Sequence, residues 1–61
     1  MSLTAAQARA ARALLNWSQA DLEVASKVAK KTIADFERGE RQPYPRTIEA
    51  IRAALETAGV E

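Results

Sequence analysis

The residues of this chain whose types and spacing could do chemistry are cations, and they cluster. Between positions 27 and 46 stand Lys27, Lys30, Lys31, Arg38, Arg41 and Arg46 against Asp35, Glu37 and Glu40, a local charge of +3; the remaining residues carry −2. The net charge of all 61 residues is only +1, so the distribution and not the total carries the information. A one-sided positive field is what a surface that meets a polyanion requires. Chance clustering on a solvated face is the competing reading. Other chemistries are thinly supplied. The chain has no His and no Cys, which removes the commonest general base, thiolate nucleophiles and the usual zinc ligands. The carboxylates are not accompanied by a nucleophile or a metal-ligand cluster, and so small a core leaves little room for a pocket. Neither an enzyme, a metal site nor a cofactor is expected. No apolar run approaches the ~20 residues needed to span a bilayer or the core of a secretory signal, so a soluble, cytoplasmic chain is expected.

The elements that must position these cations read as helices. Ala, Leu, Arg, Glu and Gln dominate, and no stretch alternates apolar and polar residues as a strand would. Asn16, the Ser26-Lys27 region, Gly39 with Pro43 and Pro45, and Gly59 divide the chain into four segments. The first helix spans about 4–15, with Thr4 and Gln7 as a capping box and Ala8, Ala11 and Leu15 on one face. The second, about 18–26, has the sharpest start: Ser18 caps with Asp21, while Trp17 and Leu22 form a hydrophobic staple. Leu22 and Ala25 should face inward. A third helix over about 29–38 begins with Val28 and Ile33 as a second staple and ends before Gly39. Pro43 and Pro45 disfavour helix in the residues before them, so 40–44 is a loop. Pro45 then opens a fourth helix to about 58, with Ile48, Ile51, Leu55 and Ala58 as its stripe. The expected fold is all-α, one domain over 1–61 of four or five helices, its core built from Leu15, Trp17, Leu22, Val28, Ile33, Phe36, Ile48, Ile51 and Leu55.

The second and third segments, joined by a turn of three or four residues, have a helix-turn-helix layout. In such a layout the second helix presents its N-terminal turn, with its unpaired N–H groups and dipole, to phosphates and base edges. Lys30 and Lys31 sit in that turn and oppose their own helix dipole. This costs a few tenths of a kcal/mol at exposed sites and points to an external anion.

The run Trp17-Ser18-Gln19-Ala20-Asp21-Leu22, then Val28, Thr32-Ile33 and Phe36-Glu37-Arg38-Gly39, with Arg41 and Pro43 following, closely resembles the Cro/repressor-type (XRE-like) helix-turn-helix transcriptional regulators. The resemblance extends without a gap over nearly the whole chain. It implies a lambda-repressor-like domain that binds duplex DNA. Gln19 then takes the position that bonds a backbone phosphate and buttresses the recognition helix. Ala29, Lys30, Lys31, Ala34 and Asp35 take groove-facing positions, and Arg38, Arg41, Gln42 and Tyr44 positions that meet the phosphate backbone. Arg12 and Glu37 match an ion pair tying the first helix to the third. Asp35 either selects a cytosine through its N4 amino group or pairs with Arg38 or with Lys31 on its own helix and touches no base.

Three residues depart from the family pattern. Lys27 replaces the turn Gly, so the turn either strains a side chain at positive φ, at about 1 kcal/mol, or is reshaped. Ala29 replaces the hydroxyl residue that caps the recognition helix, forfeiting roughly 1 kcal/mol. Glu23 replaces a small residue at the approach of helices two and three, which should loosen their packing. A homodimer is expected, through the outer face of the last helix and Ala58 to Val60; the 61 residues could equally be one domain of a longer protein. The alternative function is a protein-interaction module of the same fold, such as an adaptor or an antitoxin-like partner.

Overall fold

The computed structural model describes residues 3–59, which form four helices: α1 (Ala5–Leu15), α2 (Gln19–Ser26), α3 (Lys30–Glu37) and α4 (Pro45–Thr57). Strands are absent among the described residues, and the fold is a small all-α bundle. Each helix starts one residue later than its sequence signal or at it, because the cap residue lies outside the helix proper.

Local chemistry fixes the ends. Thr4 and Gln7 close a capping box on α1, with the Gln7 amide donating to Thr4 Oγ1 at 3.1 Å and the Thr4 amide to Gln7 Oε1 at 2.9 Å. Ser18 and Asp21 repeat it on α2, at 3.1 and 2.9 Å. α1 ends on Asn16 in the left-handed region, with the Asn16 and Trp17 amides turning back to the Ala13 and Arg12 carbonyls. α3 ends in the same way: Gly39, at φ +75°, donates to the Phe36 carbonyl and Glu40 to that of Asp35. Pro45 occupies the first turn of α4, where its missing N–H costs nothing.

The core consists of Ala8 and Ala11 from α1, Leu22 from α2, Ile33 and Phe36 from α3, and Ile48, Ile51 and Leu55 from α4. Leu15, Trp17 and Val28, expected inside, are only partly buried and pack against the edge of this cluster together with Leu3 and Ala54. Trp17 and Val28 precede their helices, so each covers the core from a connecting segment and keeps one side in solvent. Ala25 is exposed, contrary to expectation. α2 has only eight residues, and Leu22 is its one buried position. The Val60 part of the expected dimer surface lies outside the described residues.

The turn between α2 and α3 keeps its left-handed residue. Lys27 sits at φ 61°, ψ 23°, its amide donating to the Glu23 carbonyl at 2.8 Å. The turn is therefore strained and not reshaped. Ser26 braces it: its hydroxyl donates to the Leu22 carbonyl at 2.7 Å and accepts from the Val28 amide at 3.2 Å. Glu23 does not wedge the two helices apart, since Leu22 and Ile33 on either side are both fully buried.

Candidate nucleic-acid interface

Glu37, in the last turn of α3, organises the back of this helix. It is the one buried charged residue among those described, at 3% exposure. Arg12 of α1 grips it with a two-pronged fork, Nε to Oε2 at 2.8 Å and Nη2 to Oε1 at 2.7 Å, and uses Nη1 on the Trp17 carbonyl at 3.0 Å. Planar guanidinium and planar carboxylate match in this geometry, which is why Arg suits it better than Lys. Gln19, the first residue of α2, donates from Nε2 to Glu37 Oε1 at 3.1 Å. Arg9 adds a hydrogen bond to the Glu37 backbone carbonyl, a cation at a helix C-terminus. Burial alone would raise the Glu37 carboxyl, but hydrogen bonds from Arg12 and Gln19 and the charges of Arg12 and Arg9 outweigh it, holding the group below the ordinary glutamate range. One carboxylate thus fixes α3 against both α1 and α2 and spends its charge inside the protein.

The opposite end of α3 faces solvent. Ala29, Lys30 and Lys31 are exposed, with the Lys31 side chain at 87%. Ala34 and Asp35 are intermediate. Among the described residues Lys27, Lys30, Arg41 and Arg46 form no ion pair. Asp35 is engaged on both sides, by Arg38 Nη2 at 2.6 Å and Lys31 Nζ at 3.5 Å. Of its two expected fates, pairing along the helix is the one this geometry displays. Arg38 is also bound by Glu40, Nε to Oε2 at 3.1 Å, so its guanidinium is shared between two carboxylates. Arg41, Gln42 and Tyr44 lie exposed in the α3–α4 loop, Tyr44 at 74%. Pro43 between them is buried and anchors the loop.

The expected loss of the hydroxyl cap at position 29 is present, and a different bond partly offsets it. Ala29 makes no side-chain cap, but the Glu23 carboxylate crosses from α2 and its Oε2 accepts the Lys30 amide at 3.1 Å. A bond between residues seven apart in sequence leaves no local pattern. The Lys31 and Thr32 amides make no hydrogen bond among the described residues, and Ile33 is the first amide paired within the helix register, to the Ala29 carbonyl at 3.1 Å. The resulting surface combines two lysines, two open amides and the positive end of a helix dipole, with Arg41, Gln42 and Tyr44 in the following loop.

No helix among the described residues is long and apolar enough to cross a membrane. No curated protein matches the sequence at a significant level. A family model described as Helix-turn-helix matches residues 9–60, which include all of α2, the turn and α3. With that match over most of its length and a bundle of the corresponding architecture, the chain belongs to the Cro/C1-type (XRE) helix-turn-helix family of DNA-binding regulators.

Proposed function

We propose that this protein is a sequence-specific duplex DNA-binding regulator of repressor type, which inserts the leading turn of α3 into the major groove. The observation that carries the reading is the exposure of Lys30 and Lys31 at that turn, against their own helix dipole, with the Lys30 ammonium in no ion pair among the described residues. A fold under no other demand would place acidic residues there. Gln19, Arg41, Gln42 and Tyr44 grip phosphates, and the second N–H of the Gln19 amide serves this while the first holds Glu37. Arg38 joins them after exchanging Asp35 or Glu40 for a phosphate oxygen. One eight-residue helix reaches few bases, so two copies act together, with recognition helices about 34 Å apart on one face of the duplex. The pairing surface is the outer face of α4. Selection of bound duplexes from a random pool tests the reading: enrichment of a short motif, repeated at about one helical turn, is expected, and no retained duplex would contradict it.

A second reading is favoured by one observation, the neutralisation of Arg38 by Asp35 and Glu40. In it the fold serves as an adaptor or antitoxin-like module for another protein. A stoichiometric protein partner on purification, with no mobility shift on DNA at low salt, would establish it over the first.

A further inference from the structure

The Glu23 carboxylate sits where a DNA phosphate would be drawn. Helix N-termini attract anions because their first amides are unpaired and the dipole adds to them. At the start of α3 the first such amide, that of Lys30, is already held by Glu23 Oε2 at 3.1 Å. Glu23 is half-buried, and no side-chain cation is paired with it among the described residues. Its negative charge is therefore not cancelled by a direct partner, although Lys27, Lys30 and Lys31 surround the same helix end in sequence.

We propose that Glu23 is a specificity-determining residue of the DNA interface: its carboxylate occupies the leading amide of the recognition helix and disfavours phosphate there, lowering affinity for duplexes of arbitrary sequence. The proposal rests on the DNA-binding reading above. Sequence-independent binding draws essentially all its strength from phosphate contacts. A helix inserted in the groove meets base edges, which offer neutral donors and acceptors. A fixed negative charge at the helix start consequently penalises the non-specific complex more than the specific one.

The test compares the full chain with Glu23→Gln, whose amide oxygen keeps the cap while removing the charge, and with Glu23→Ala, which loses both. The probe is a fluorescent 20-base-pair duplex of random sequence. For Glu23→Gln, affinity is expected to rise roughly three- to tenfold at about 50 mM salt, and the slope of log affinity against log salt to steepen by up to about 0.9. Thermal unfolding should separate the roles, with Glu23→Gln melting near the parent and Glu23→Ala below it. Parent binding that is salt-dependent but matched by Glu23→Gln overturns the role of Glu23 and leaves the DNA-binding reading standing. Failure of both proteins to bind at low salt overturns both, whereas binding by Glu23→Gln alone supports the role directly.

Discussion

A carboxylate on a recognition helix would ordinarily repel DNA, yet Glu37 is turned inward and held by Arg12 and Gln19. Removing one partner of a buried pair strands the other, at about 3–5 kcal/mol. Arg12 keeps 20% of its side chain in water, so Glu37→Ala is expected to cost near the lower figure, about 3 kcal/mol by urea denaturation, a large share of the stability available to so small a domain. The same group sets an acid limit. Its folded pKa is lowered, so its contribution is complete above the ordinary glutamate value of about 4.3 and fades as pH falls through the depressed one. The melting temperature should drop between pH 7 and pH 3, and Glu37→Gln should lose less over that interval than the parent does. On the opposite face the consequences are for binding alone: Lys31→Ala should relax base preference, while Arg41→Ala should weaken binding to every duplex alike, both measurable by anisotropy.

At the level of the elements, the strained residue between α2 and α3 is a natural handle. Lys27 at φ 61° carries about 1 kcal/mol of strain, and Lys27→Gly relieves it at the expense of a more flexible unfolded chain. A net gain of about 0.5 kcal/mol in urea is expected, together with weaker DNA binding from the lost cation. Glu23→Ala, by contrast, uncaps α3 and should cost about 1 kcal/mol. These two positions also mark how far sequence carries. Thr4 with Gln7 and Ser18 with Asp21 are short-range signals between residues three apart, and the caps they announce are present. Gly39 and Pro45 likewise end α3 and open α4 where such residues must. The bond from Glu23 to Lys30 depends on how two helices cross, and nothing in the spacing encodes it. Ala25 was misplaced for a related reason: in an eight-residue helix a periodic stripe is too short to tell the buried face from its neighbour. Among the candidate interface residues, Lys30 and Lys31 stand out in the sequence by their clash with the helix dipole. The Arg38–Asp35 pair is one of the alternatives the spacing offers, but the second carboxylate on Arg38 leaves no such sign, because Glu40 joins it from beyond the end of the helix.

For the whole molecule, the question is what a net charge of +1 can hold. Duplex DNA responds to the local field, because exposed charges farther apart than a Debye length, about 8 Å at physiological salt, are largely screened from one another. In the proposed reading, pairing of two copies supplies the remaining affinity. Leu14 of α1 and Val24 of α2 are both 79% exposed, and a shallow groove between α2 and α4, lined mostly by Trp17 and alanines with Ser26 and Thr57 among them, adds further apolar surface. Sedimentation equilibrium should accordingly report a mass rising with concentration towards a dimer. The most direct test of the central claim is the salt dependence of duplex binding by the parent chain and by the Lys30→Ala, Lys31→Ala double variant. Log affinity of the parent should fall linearly with log salt, by about 0.9 for each phosphate neutralised, and the double variant should bind more weakly with a shallower slope. A flat response in the parent, or a slope that the two substitutions leave unchanged, would contradict the assignment of α3 as the DNA-facing helix.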